Sequence, residues 1–213
     1  MAPLFQDRVA AGQELAARLA RHADLHEPVV LGLPRGGVPV AAAVAASLGA
    51  PLDVLVVRKL GAPGQPELAM GAIASGGMRV LNRDVVRQLD ISAATIDQVA
   101  RRELVELERR ERKYRGSRCA LELSGRSVVL VDDGLATGAT MRAAVAAVRE
   151  LRPRRVVVAV PVGAPDSCRL LAEVADEVLC LHAPTAFGAV GSHYVDFAQT
   201  TDDHVRRLLD QQL

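Results

Sequence analysis

Asp132 and Asp133 stand side by side at the end of an apolar run, followed by Gly134, Leu135, Ala136, Thr137, Gly138, Ala139 and Thr140. The run reads as a buried strand that delivers two carboxylates to a sheet edge. A tight turn comes next, and a helix opens near Gly138. Small residues leave the amides of this turn bare. Such a helix start is an anion nest, because its N–H groups point outward and the helix dipole favours negative charge. Thr137 and Thr140 add hydroxyl donors, so one phosphate fits there. The acids cannot hold a phosphate. They can accept hydrogen bonds from sugar hydroxyls, or help organise Mg²⁺ beside a phosphorylated ligand. An acid pair next to a phosphate nest describes a phosphorylated ribose. The G-x-x-x-x-G-K-[ST] loop of nucleoside triphosphatases is absent, and so is a dinucleotide fingerprint.

Three other segments carry candidate chemistry. Leu33-Pro34-Arg35-Gly36-Gly37 follows an apolar strand and flanks a cation with bare backbone, a combination suited to a diphosphate. A plain turn entering a helix is the bland alternative. Arg58 and Lys59 place two adjacent cations at a strand end, where they can neutralise a diphosphate leaving group or simply be solvated. Residues 61–67, GAPGQPE, suit a lid that shuts out water, with Glu67 a speculative general base whose simpler reading is a surface carboxylate.

These segments need a scaffold, and the pattern supplies one. Strands are expected at residues 28–33, 52–58, 127–131, 155–160 and 177–181, with helices at 4–21, 38–48, 138–151, 165–175 and 201–211. Residues 60–66 read as a loop and 69–82 as a hairpin turned at Ser75-Gly76-Gly77. Ser92 caps a long helix to about Arg115, with Ile96, Val99, Leu104, Leu107 and Tyr114 as its apolar stripe. Glu106–Arg110, Glu108–Arg112 and Glu111–Arg115 are favourably ordered i,i+4 pairs. Alternation of strands and helices predicts an α/β fold, a mainly parallel sheet flanked by helices. Ligands in such sheets lie beyond the carboxyl ends of strands, where the three candidate segments fall.

Composition narrows the classes. The formal net charge is +1 and aromatics are 2% of the chain, which argues against nucleic acid as a partner. No segment reads as a signal peptide or membrane span, so a cytoplasmic protein is expected. Cys119, Cys168 and Cys180 lack metal or disulfide spacing and read as buried thiols. His182 and His193 show no ligand spacing either. A length of 213 residues suggests one domain.

Residues 128–140, VVLVDDGLATGAT, resemble the phosphoribosyl-diphosphate signature of type I phosphoribosyltransferases: apolar residues, two acids and a Thr-Gly-x-Thr turn. The resemblance implies a single domain, residues 1–213. It has a core of about 28–182, a C-terminal hood of about 183–200 and an inserted helix of about 92–115. It puts the ribose contacts on Asp132 and Asp133, and the 5-phosphate on the loop from Gly134 through Ala136, Thr137, Gly138, Ala139 and Thr140. Arg35, Gly36 and Gly37 correspond to the diphosphate loop, where by analogy the Pro34–Arg35 bond is cis. Arg58 and Lys59 resemble a basic pair of the adenine enzymes. Ala136 also resembles those enzymes, since 6-oxopurine enzymes often carry Asp there. Residues 185–197, TAFGAVGSHYVDF, resemble the 6-oxopurine hood, which would place Phe187, Val190, Gly191 and Asp196 at the base. Packing of the final helix is the simpler role for the aromatics.

The activity implied is transfer of ribose 5-phosphate from 5-phosphoribosyl 1-diphosphate to a nitrogenous base, releasing diphosphate. Mg²⁺ would arrive with the donor, no protein metal ligand is evident, and a homo-oligomer is expected. Two alternatives stay open. One is a sensor of the donor or of nucleotides on the same fold, supported only by residues 101–118 with eight basic and four acidic side chains. The other is a hydrolase of phosphorylated sugars.

Overall fold

The computed structural model describes residues 3–21 and 25–211, apart from the side chains of Pro66 and Glu67. The expected general base, Glu67, therefore lies outside the described side chains. The frame is a parallel sheet of β1 (Val29–Gly32), β2 (Leu52–Val54), β6 (Ser127–Val131), β7 (Arg155–Val162) and β8 (Glu177–His182), in the order β2-β1-β6-β7-β8. β1 and β6 are buried at every residue, which is why both read as unbroken apolar runs rather than alternating ones.

Alternate side chains of these strands enter two different cores. Val30, Val129, Val131, Val157 and Ala159 pack with α1 (Arg8–Leu19), α2 (Gly37–Leu48) and α7 (Asp202–Asp210). Val29, Leu31, Val128, Leu130, Val156 and Val158 pack with α5 (Ala139–Arg149) and α6 (Pro165–Ala172). With few aromatics available, Val, Leu and Ala fill both cores.

The chain leaves β1 towards β2 and leaves β6 towards β7, on opposite sides of the sheet. β1 and β6 are nevertheless neighbours, registered from Val29↔Val128 to Gly32↔Val131. Their carboxyl ends form the point where strand order reverses, the crevice in which open α/β sheets bind ligands. The loops carrying Arg35 and Asp132 start there, joined by Leu33 N–H donating to Val131 O at 2.9 Å.

Residues 52–58 are not one strand. β2 ends at Val54, and the chain crosses into a separate antiparallel sheet of β3 (Val57–Ala62), β4 (Gln65–Ala74) and β5 (Met78–Leu81). The crossing is held by tertiary bonds: Leu55 N–H donates to Gly32 O at 3.1 Å and Val56 N–H to Ser75 Oγ at 2.9 Å. Residues 60–66 are likewise mostly strand. The Pro63-Gly64 pair makes the turn, with Gly64 at φ 72°. The hairpin between β4 and β5 turns at Ser75–Gly77 as expected.

Two helices link this sheet to β6. The short α3 (Arg83–Gln88) was not expected; Asn82 caps it by accepting from the Asp84 and Val85 amides. α4 (Ala93–Arg115) is the expected long helix, with Ser92 accepting from Thr95 N–H. Ile96, Ala100, Leu107 and Tyr114 bury its inner face, with Val99 and Leu104 packed beside them. Glu106–Arg110 and Glu111–Arg115 form the i,i+4 pairs seen here. The cysteines depart from expectation: Cys119 is exposed, and Cys168 and Cys180 are half-buried. No helix among the described residues is long and apolar enough to cross a membrane.

Candidate functional site

The loop after β6 presents its amides to solvent. Ala136, Thr137, Ala139 and Thr140 are exposed. Leu135 N–H is taken by Val162 O at 2.9 Å, which anchors the loop to β7. Among the described residues, no protein acceptor meets the N–H groups of Ala136, Thr137 or Gly138. Gly138 sits at φ 69°, the left-handed conformation that turns the chain into α5 and favours glycine. Ser167, on α6, donates its hydroxyl to Ala136 O at 2.5 Å and fixes the loop's far side. A turn of open, unpartnered amides is thus formed.

The acid pair sits beside it. Asp132 Oδ1 accepts from the Asp133 amide at 2.9 Å. Burial, and then the charge of Asp133, push the Asp132 carboxyl well above the usual carboxylate range. Burial also raises Asp133, against the pull of Arg8. Arg8 Nε donates to Asp133 Oδ2 at 2.8 Å. Its Nη1 donates to Ala198 O at 2.8 Å, and the guanidinium lies 3.9 Å from the centroid of the Phe197 ring. Tyr194 donates its hydroxyl to the Asp133 backbone carbonyl at 2.6 Å, and burial holds that phenol protonated. One oxygen of the pair is therefore satisfied by a cation. The pair's other oxygens have no protein donor among the described residues and are reached by solvent, since no buried side-chain oxygen is left without a partner.

The loop after β1 closes on these acids. Its Pro34–Arg35 peptide bond is cis. A methyl group on Gly36 would collide with Asp133 Oδ2, and one on Gly37 would lie 2.7 Å from Val131 O. Both glycines are needed for the two loops to touch. Arg35 itself reaches towards α7, with Nη1 3.8 Å from Asp202 Oδ1.

The remaining expected residues are spread more widely. Lys59, on β3, lines a cleft of about 620 Å³ between the antiparallel sheet and α5, sharing its wall with Ala139, Thr140 and Arg142. That cleft reaches the phosphate loop but not Asp132, Asp133 or Arg35. Arg58 is held by Glu103 of α4, Nε to Oε2 at 2.6 Å. In the hood, Phe187 is 9% exposed and packs on His193 with ring centroids 5.3 Å apart. Val190 packs on the phosphate loop, so that a methyl on Gly134 would lie 2.6 Å from Val190 Cγ1. Asp196 is exposed, accepts from Ala198 N–H at 2.9 Å, and donates its own amide to Gln6 O at 2.8 Å. Phe187 packs with Phe5, Ala11, Val162 and Tyr194 and not on the final helix, whose Val205 and Leu209 belong to a different core.

Arg8 and Ser167 were missed, and Tyr194, expected among the hood aromatics, meets the Asp133 carbonyl instead of standing only as a ring. No spacing rule links Arg8 to an acid 125 positions away. A polar residue one helical turn into a Pro-initiated helix was the only available sign for Ser167.

An acid pair, a bare-amide phosphate loop and a glycine-flanked cation at one strand-order reversal define a phosphoribosyl transferase domain of the type I kind. The chain belongs to that family: the model described as "Phosphoribosyl transferase domain" matches residues 5–197. It is similar to a Mycobacterium tuberculosis protein provisionally named a phosphoribosyl transferase, found in strains CDC 1551 and H37Rv. The identity is 55% over 208 residues, 98% of this chain and 47% of the relative. The chain thus spans about half the length of the curated relatives it matches. Its structure is similar to that of TT1426 from Thermus thermophilus, with 47% identity and a TM-score of 0.91, covering 100% of this chain and 99% of that one. The fold alone is shared with the APRTase of Giardia lamblia, solved with 9-deazaadenine. There the identity is 14% and the TM-score 0.50, covering 83% of this chain and 79% of that one.

Proposed function

We propose that the chain binds 5-phosphoribosyl 1-diphosphate and transfers its ribose 5-phosphate to a nitrogenous base, releasing diphosphate. The observation that carries this is the open, unpartnered amide loop beside two carboxylates whose ionisation is disfavoured without further donors. The 5-phosphate enters the nest of residues 136–140. The ribose hydroxyls donate to Asp132 and Asp133, which lowers the penalty on their charge and fixes the anomeric carbon. The loop of Arg35, Gly36 and Gly37 receives the diphosphate, and Lys59 approaches from the hairpin side. Mg²⁺, when bound, neutralises the diphosphate.

Of the eight basic side chains at residues 101–118 behind the sensor reading, Arg109, Arg110, Lys113, Arg115 and Arg118 have acceptors within the chain, and Arg101, Arg102 and Arg112 are exposed. Incubation with donor, Mg²⁺ and a panel of purine and pyrimidine bases tests the reading. Base-dependent diphosphate release is expected. Release of free ribose 5-phosphate without any base would mark a hydrolase instead.

A further inference from the structure

The partner of Arg35 comes from an unexpected quarter. Asp202, the first residue of α7, faces Arg35 at 3.8 Å. The same carboxylate accepts from Lys113 Nζ at 2.7 Å and from the Tyr114 hydroxyl at 2.9 Å. Three elements distant in sequence therefore converge: the loop after β1, the last turn of α4 and the start of α7. Tyr114 is buried, and burial together with its bond to Asp202 pushes the phenol up to about 12. It is a fixed anchor for the carboxylate. Lys113 and Arg35 stay open to solvent, with side chains 47% and 37% exposed.

The surrounding charge is unbalanced. Glu106 is shared by Arg109 and Arg110, and both the Asp202 carboxylate and the Tyr114 hydroxyl lie within reach of this group. Among the described residues, the ion pairs of Arg35, Arg109, Arg110 and Lys113 are made with Glu106 and Asp202. The surplus is positive and solvent-facing, and it borders the loop that the proposed function gives to the diphosphate. One carboxylate bridging two exposed cations is replaceable by a ligand of higher negative charge, since each cation offers donors free to rotate onto a phosphate oxygen.

We propose that Lys113 and Arg35 together clasp the diphosphate of the donor, and that Asp202 holds the two cations in place until it arrives. This rests on the donor reading above. It gives α4 a task, the delivery of a second cation to the leaving group, and it makes Asp202 a positioning residue that competes with the ligand.

Calorimetry on the full chain with three titrants tests it: inorganic diphosphate, 5-phosphoribosyl 1-diphosphate and ribose 5-phosphate. Lys113→Ala should weaken the first two by about tenfold or more and leave ribose 5-phosphate within about twofold. Lys113→Arg should restore diphosphate affinity to within about threefold, and Asp202→Asn should tighten inorganic diphosphate severalfold. Lys113→Gln carries the alanine prediction should that variant fold poorly. Equal diphosphate affinity in the alanine or glutamine variant, with donor binding by the wild type intact, overturns this inference alone. So does an equal loss for all three titrants, which would mark a structural role. A wild type that binds none of the three overturns the donor reading and this inference together.

Discussion

Two sets of carboxylates lie on neighbouring parts of the same sheet and are treated in opposite ways. Asp53, in β2, is 5% exposed and fully engaged. Arg115 Nε reaches both its oxygens at 3.0 Å, and Val54 N–H donates to Oδ1 at 2.8 Å. Arg115 is tied down in turn by Glu111 and by Val54 O. Asp132 and Asp133 have Arg8 and one backbone amide between them, and burial disfavours their ionisation. The difference separates architecture from function. A charge whose partners are all supplied by the chain fastens α4 to the sheet. Carboxylates that the chain only partly pairs, beside amides it leaves without acceptors, are open to the ligand that the proposed function brings.

That contrast can be broken from either side. Arg115→Ala leaves Asp53 buried without its cation, and the expected loss is about 3–5 kcal/mol. For a chain of this size that lowers Tm by roughly 10 °C. Thermal unfolding checks it, and the variant should still bind donor below its lowered Tm. Arg8→Ala acts on the other set. Arg8 is what pulls the Asp133 carboxyl down, so its removal raises a group that is already high. Ionised carboxylates accept from the ribose, and binding fades as pH falls through their folded pKa. Donor affinity in Arg8→Ala should therefore start to fall at a higher pH than in wild type, read by calorimetry across pH 5–8, a window chosen as about the range raised carboxylates enter. An unchanged pH profile would detach Arg8 from the site. Ser167→Ala, the mildest change, removes one bond to the Ala136 carbonyl, worth about 1 kcal/mol. Tm should fall by about 2–4 °C, and phosphate-containing ligands should bind up to about fivefold more weakly as the loop loosens.

What the sequence revealed followed the range of the interactions concerned. The phosphate loop was legible because its parts are consecutive: strand, acids, turn and helix start fall within residues 128–140. The Ser92 cap is local too, whereas the cis bond before Arg35 was expected only through the family resemblance. The end of β2 at Val54 was not legible. LDVLVVRKL has uniform β propensity, and what divides it is Gly32 and Ser75, which grip the Leu55 and Val56 amides from elsewhere. Arg8 and Asp202 were invisible for the same reason, each reaching the site across most of the chain. Arg58 shows the converse. Adjacent to Lys59 in sequence, it turns to Glu103 of α4, because neighbours on a strand point to opposite faces. In the hood, Phe187 and His193 lie six residues apart, yet no periodicity signals that the carbonyl of one meets the ring nitrogen of the other at 2.8 Å.

The acid pair beside the bare-amide loop is the claim on which the rest depends, and replacing both carboxylates by their amides addresses it directly. In Asp132→Asn with Asp133→Asn, calorimetry with 5-phosphoribosyl 1-diphosphate should show affinity weakened by more than about a hundredfold. Meanwhile the Asp132 amide removes the penalty of an ionised buried carboxyl and the Asp133 amide gives up the ion pair with Arg8, so Tm at neutral pH should change little. Donor affinity equal to wild type in a folded double variant would contradict the account.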